Sequence, residues 1–438
     1  MAHQSVSQLL RGSLATLIIN GISALSVFGL QLLLARLLGH DNYSDYAYAF
    51  TALTLLSVFG VVGMDVAAQR FISSYQSLSE WALLKGFLKR SIQLTIFASV
   101  IAALSLTAAV IAFRQPIGEK LSDTILIAGL TLPFSSLLLL GVSILRGLKK
   151  PIIASVPRLI VRPMCLIIVV GLALINNVRG VTGSVAMLFE LGVTLVALTV
   201  AILSITKYVP GQLQSTGMEF LTKRWISVSI PLFSIGCFQL IIRSADILII
   251  GYSLETKLAG SYYAASRVAQ LAAFGLMAIN GVLPALIAGH FAKEERSHLQ
   301  ELVSYAAIAT FVFSFFTTVI ILLFDRQILV LFGVEFTEAA PALRILAVGQ
   351  LINAMTGSVS VLLAMTGHQR IMLMVMSVAM ICHLLMCAIL IPQFGIIGGA
   401  IATSITVAAA NIVLVTYCIE ALSIDPSLFR FFKSQSSS

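Results

Sequence analysis

Run length, scarcity of charge and internal repetition together predict an all-α integral membrane protein, with about twelve transmembrane helices in two pseudo-symmetric six-helix halves. Apolar runs long enough to cross a bilayer recur along the whole 438-residue chain. Only 10% of the residues are charged and the mean hydropathy is +1.02, whereas a soluble domain carries about 25% charged residues. Motifs of the first half return in the second in the same order. Lipid is therefore the natural solvent for most of this surface.

A transmembrane helix takes about 20 apolar residues. Twelve runs reach that length, near 13–38, 44–68, 84–113, 123–145, 152–175, 183–206, 226–251, 258–289, 300–324, 341–365, 370–391 and 396–420. The first follows the polar segment MAHQSVSQLLRG. It is too long for a secretion-signal core and no small-residue cleavage site follows it, so it is read as a span. The 84–113 and 258–289 runs exceed a bilayer's need and are expected to tilt or to extend past the lipid. Alternating polar strands of the outer-membrane barrel type are absent, which leaves helices as the spanning structure.

Orientation follows from Lys and Arg in the short loops. The N-terminus and the even-to-odd loops hold 17: Arg11, Arg70, Lys85, Lys89, Arg90, Arg146, Lys149, Lys150, Arg158, Lys207, Lys223, Arg224, Lys293, Arg296, Arg370, Arg430 and Lys433. The other side holds 7: Arg36, Arg114, Lys120, Arg179, Lys257, Arg326 and Arg344. Both termini are expected in the cytoplasm. The net charge of +9 is thus explained by topology and anionic inner-leaflet lipid. No nucleic-acid-binding motif accompanies it.

The longest polar interruption, KYVPGQLQSTGMEFLTKRW (207–225), falls between spans six and seven. It predicts an N-terminal lobe over 1–210, a cytoplasmic linker over 211–225 and a C-terminal lobe over 226–438. The lobes repeat each other. LLARLLGHDNYSDYAYAFTAL (33–53) and ILIIGYSLETKLAGSYYAASRVAQL (247–271) each pass from an apolar helix through a polar turn to tyrosines and alanines. LRGLKK (145–150) corresponds to MTGHQR (365–370), and RGVTGSVA (179–186) to FGIIGGAIA (394–402). Duplicated bundles of this kind commonly form transporters.

Ionisable groups at bilayer depth are costly and mark function. The stretch ILRGLKKPIIASVPRLIVRPM (144–164) holds five cations, three prolines and no acid. Arg146, Lys149 and Lys150 suit a cytoplasmic anchor. Arg158 and Arg162 are four apart and share a helix face; they either snorkel to headgroups or face a cavity and bind phosphate, which suits the planar guanidinium fork. Pro157 and Pro163 are expected to kink the helix beside them. Arg243 and Asp246, three apart, either neutralise each other or keep Arg243 poised in a cavity. Arg267 follows Tyr262 and Tyr263, a grouping that fits an interfacial anchor or a sugar and pyrophosphate contact. Asp65 is read as a cap or salt-bridge partner of Arg70, or as a gating acid. Glu190 either pairs with an arginine of span five or carries a proton. His383 is either hydrogen-bonded structure or a titrating group. Arg344 lies nearer a span end.

Asn20, Gln31, Gln239, Asn280, Gln350, Asn353 and Asn411 can bond sugar hydroxyls or neighbouring helices. The five cysteines fall inside apolar runs without metal-ligand spacing, so no metal and no cofactor are expected. Nucleotide-loop, zincin, nucleophile-elbow and dinucleotide fingerprints are all missing, so no enzyme is expected either. The outer loops are too short for a polymerase.

Three stretches carry a family resemblance: LARLLGHDNYSDYAYAFTALTLLSVFGVVGMDVAAQRFI (34–72), LRGLKKPIIASVPRLIVRP (145–163) and LLAMTGHQRIMLMVMSVAMICHLLMCAILIPQFGIIGGAIATSI (362–405). In their order, and with the length and six-plus-six division, the chain resembles the Wzx-type polysaccharide and oligosaccharide flippases of the multidrug/oligosaccharidyl-lipid/polysaccharide (MOP) exporter superfamily. The resemblance implies a MATE-like pair of six-helix lobes around a central cavity that alternates between two faces. It implies a cargo of polyprenyl-pyrophosphate-linked oligosaccharide, the repeat unit of an O-antigen, capsule or exopolysaccharide. It implies a bacterial inner membrane and partners among membrane lipids, polysaccharide polymerase and chain-length proteins. The arginines suit a pyrophosphate. A competing reading, an ion-coupled multidrug antiporter of the same superfamily, asks for cavity carboxylates, and span one has none.

Overall fold

The computed structural model describes residues 2–178, 180–213, 216–292, 295–428 and 430, with side chains from residue 21 onward except 22–24, 116, 232, 282, 285, 288 and 292. The side chains of Arg11 and Asn20, and residues Arg179, Lys293 and Lys433, lie outside the described residues. Among the described residues there is no strand. The helices are α1 (Ala2–Val61), α2 (Met64–Leu78), α3 (Trp81–Ala112), α4 (Arg114–Ile117), α5 (Glu119–Gly147), α6 (Pro151–Ser155), α7 (Arg162–Ile175), α8 (Gly183–Tyr208), α9 (Thr222–Ser253), α10 (Thr256–Ala269), α11 (Phe274–Ala292), α12 (Arg296–Val330), α13 (Ala340–Met355), α14 (Val359–Met365), α15 (Gln369–Phe394) and α16 (Ile396–Tyr417).

Among the described residues, 8 helices are long and apolar enough to cross a membrane, or up to 10 if each of two bent pairs is one span. The shortfall from twelve has local causes. The first two runs share α1, which bends at Gly39, where φ is 70°. The 258–289 run is interrupted by a 3-10 turn at Gln270–Ala273. The 341–365 run bends by 42° between α13 and α14.

The chain forms two compact units, Gly29–Leu240 (the N unit) and Met1–Phe28 with Ile241–Ser438 (the C unit). The division falls inside α9 rather than at 211–225. Trp225 supplies the reason. Its ring is buried in the N unit, its Nε1 donates to the Tyr75 hydroxyl at 2.8 Å, and it meets the Phe87 ring edge-on at 5.2 Å. The segment ahead of it is fastened to α3: Lys85 Nζ donates to the Thr216 carbonyl at 2.9 Å and the Glu219 N–H to the Ala82 carbonyl at 3.1 Å. A side chain at Gly86 would overlap the Glu219 carbonyl.

Both units are built inside-out relative to a soluble bundle. On α3, Ser91, Thr95 and Ser99 are buried, while Phe97, Ile101, Leu104 and Ile111 face outward. On α12, Thr310, Ser314 and Thr318 are buried, while Phe316, Ile320 and Leu323 face outward. Small residues let helices approach where lipid supplies no hydrophobic drive between them. The matching four-residue spacing on these two helices extends the repeat. So do the turns: Gly180 and Gly395 stand three residues before Gly183 and Gly398, with φ of 76° and 61°. Gly183 lies against the Asn42 carbonyl and Gly398 against the Leu390 carbonyl.

Candidate functional site

In the N unit the basic stretch does not continue as a plain α-helix. Between Pro151 and Pro163 the chain makes α6, then a π-helical turn at Val156–Val161, then α7. Such turns mark functional positions in helices, and proline removes the donors that would keep the α register. The kink expected from Pro157 and Pro163 takes this form. It leaves Arg158 and Arg162 lining one cleft, with Leu53, Thr54, Ser57, Val58, Ser135, Leu138 and Leu139. The cleft holds about 40 Å³, room for a water or so and not for a sugar.

Glu190 of α8 is wholly buried, and Arg162 reaches it from 28 residues away. Arg162 Nε donates to Glu190 Oε1 at 2.6 Å, and its Nη2 pairs with the same oxygen. The Tyr46 hydroxyl donates to Oε2 at 3.4 Å, and the Arg162 guanidinium lies 5.3 Å from the centre of the Phe50 ring. Of the two roles open to Glu190, the structure shows the pairing with span five. Asp65 stands in the first turn of α2, and its electrostatic neighbours are Arg158 and Arg146. The expected bridge to Arg70 is not formed among the described residues; Arg70 is exposed. One Asp65 oxygen is buried without a hydrogen bond.

In the C unit the predicted Arg243–Asp246 pair is replaced by a different partnership. Asp246 is buried, accepts from Tyr262 at 2.6 Å and from Thr403 at 2.8 Å, and caps the N–H of Ile247 at 2.8 Å. It thereby ties α9, α10 and α16 together. Spacing of three placed Arg243 near it in sequence, but Arg243 is exposed, forms no ion pair with Asp246 among the described residues, and has Arg267 as its electrostatic neighbour. Tyr262, expected as a sugar contact, is fully buried here and its hydroxyl donates to Asp246. Tyr263 is buried too, and carries the Arg267 guanidinium 4.4 Å from its ring centre. Arg267 also donates to Gln270 at 3.1 Å.

His383 is buried, with Cys387 Sγ 3.5 Å from its Nε2. No group of three metal-ligating side chains forms among the described residues. Asn280 keeps a buried Oδ1 without a partner. Asn411 donates to Asn353 at 2.6 Å, joining α16 to α13, and Asn353 donates to Gln350 at 3.4 Å within α13. Thr403, Tyr46 and Phe50 escaped the sequence reading, because uncharged residues within apolar runs carry no distinguishing signal.

The comparisons agree with this architecture. Among curated proteins no relative matches. The chain has the fold of an inward-facing multidrug resistance MATE family transporter of the MOP superfamily, with a TM-score of 0.73 at 14% identity over 94% of this chain and 98% of that one. It is similar to the lipid II flippase MurJ in an inward closed conformation, with a TM-score of 0.69 at 16% identity over 91% of this chain and 86% of that one. It is also similar to a MOP superfamily transporter from Pyrococcus furiosus reported with a binding pocket of reverse polarity, at a TM-score of 0.64 and 15% identity over 94% and 95%. The MatE family model matches residues 231–389. The model of the polysaccharide biosynthesis proteins matches residues 9–290, well over half the chain and every arginine of both candidate sites. The intramembrane arginines, the inside-out helices and the MOP transporter fold therefore sit on a chain that belongs to the polysaccharide biosynthesis protein family.

Proposed function

We propose that the chain is a flippase that carries a polyprenyl-pyrophosphate-linked oligosaccharide from the inner to the outer leaflet of a bacterial cell membrane by alternating access. The observation that carries this reading is the N-unit cleft. Two arginines line it; Glu190 is engaged by Arg162, and Asp65 offsets part of the charge of Arg158 and Arg146, so cations outnumber acids around it. Such a cleft suits an anion and repels a cation, and guanidinium forks match phosphate oxygens. Its small volume requires that it widen to admit cargo. Arg243 and Arg267 give the C unit a second cationic pair. The two units act as the alternating lobes, with both termini cytoplasmic, and polymerase and chain-length proteins act on the delivered units.

Deleting the gene tests this. Lipid-linked sugar should accumulate on the cytoplasmic face, wild type should clear it, and Arg158→Glu or Arg243→Glu should not, at unchanged membrane level. Clearance by both stable variants would refute the site. The second reading, an ion-coupled multidrug antiporter, draws on the buried, unpartnered oxygen of half-buried Asp65. It requires drug resistance on expression, abolished by Asp65→Asn, and no effect on lipid-linked sugar.

A further inference from the structure

Helices α13 and α16 of the C unit approach closely because Gly349 has no side chain. A Cβ there would fall on Ser404, whose hydroxyl donates to the Ile345 carbonyl at 3.2 Å. The contact sinks the floor between the two helices and leaves an open trough of about 320 Å³. Its walls are Ile345, Val348 and Ile352 on α13, and Ile405 and Ala408 on α16. From Arg344 to Ile352 it runs about 12 Å, at about 1.5 Å per residue.

Arg344 stands at one end of this apolar trough, with its side chain 51% exposed. It is braced from behind. Its Nε bonds a carboxylate oxygen of buried Asp325, whose other oxygen accepts from the Arg326 N–H at 2.6 Å. The brace uses Nε, and among the described residues no hydrogen bond engages the terminal N–H groups of this half-exposed side chain. Counting Arg326, this end carries two cations against Asp325. The acids of the neighbouring turn, Glu335 and Glu338, do not line the trough, and Glu338 accepts from Ser261 at 2.7 Å.

We propose that this groove binds one phospholipid of the surrounding bilayer, with an acyl chain along Gly349 and Ser404 and its phosphate on Arg344. The chemistry of the two ends matches such a molecule: a hydrocarbon floor fits a chain, and an oriented guanidinium fits a phosphate diester. The site is separate from the cleft that holds Arg158 and Arg162 and does not depend on the flippase reading.

Native mass spectrometry of the delipidated full chain tests it, with three probes: dioleoyl phosphatidylglycerol, dioleoylglycerol and inorganic phosphate. One phosphatidylglycerol should bind with saturation, dioleoylglycerol at least tenfold more weakly, and inorganic phosphate not measurably. Ala408→Phe, which fills the groove, should weaken the phosphatidylglycerol adduct at least fivefold. Because Arg344→Gln alone strands buried Asp325, the cation is removed as the pair Asp325→Asn/Arg344→Gln, with the same expected loss. Unchanged phosphatidylglycerol binding in either variant overturns the proposal. So does dioleoylglycerol binding as tightly, which denies the headgroup contact, or inorganic phosphate binding equally well, which denies the chain.

Discussion

Arg162 gives two N–H groups to one oxygen of Glu190, and Tyr46 covers the other oxygen. Glu190 is fully buried, whereas the Arg162 side chain is 20% exposed, so the carboxylate depends on the arginine for its charge balance more than the reverse. Removing one partner of a buried pair costs about 3–5 kcal/mol, because a bare charge remains. Arg162→Gln should therefore lower thermal stability in detergent strongly, Glu190→Gln less, and the double variant should recover most of the loss. A double-mutant cycle on melting curves checks this. Additive losses would mean that the two groups are not coupled.

Asp246 separates the two functional readings. In the flippase reading it is a structural acceptor for Tyr262 and Thr403. Asp246→Asn keeps an acceptor oxygen, so transport of lipid-linked sugar should survive with a stability loss of about 1–3 kcal/mol. Loss of transport at normal stability and membrane level would assign Asp246 to coupling instead.

The strap at 216–225 can be released by one methyl group. Gly86→Ala places a Cβ on the Glu219 carbonyl, and the strap is the partner that can move. Lys223 and Arg224 lie on it, so limited trypsin digestion should cut there faster in the variant than in the wild type. Trp225→Phe leaves the Tyr75 hydroxyl without its donor and should cost about 1–3 kcal/mol.

Two helical glycines give opposite expectations. Nothing lies within 4 Å of a Cβ built on Gly171, so Gly171→Ala should raise stability by about 0.5–1 kcal/mol. Gly60→Ala meets Ser136 and Ser99 at 2.5 and 2.9 Å and should lower the melting temperature. Equal melting temperatures for the two variants would show that α1 does not pack on these serines as described.

Gly395 tests the repeat. At φ 61° and ψ −140° it occupies a region open essentially to glycine alone. Gly395→Ala should cost about 1–3 kcal/mol; a Cβ at Gly395 or at Gly367, with φ 85°, meets no neighbour, so backbone strain alone sets both losses. Melting curves of both variants rank the two turns, and a smaller loss at Gly395 would mean that its turn relaxes.

The class of the protein was legible because it resides in one-dimensional properties. Apolar run length, the Lys and Arg counts of loops, and recurring Gly-and-basic turns need no partner to be read. The tyrosine pair, by contrast, looked like a binding face and proved to be interior. Both sides of an amphipathic residue look alike in an apolar run, and only the rotation of α10 against α9 and α16 tells which side is wet.

Pairing of the charges belongs to the folded chain. Local spacing nominated Arg243 for Asp246 and Arg70 for Asp65, because helix neighbours three to five residues apart are the ones a sequence displays. The bonds that form run from Arg162 across 28 residues to Glu190, and from Asp246 across 157 to Thr403. A single π-helical turn at 156–161 sets the facing of Arg158 and Arg162. Residue order dictates that cations and acids must meet inside such a chain, since none is stable bare in hydrocarbon. Helix rotation and close approach at serine and glycine select which ones do.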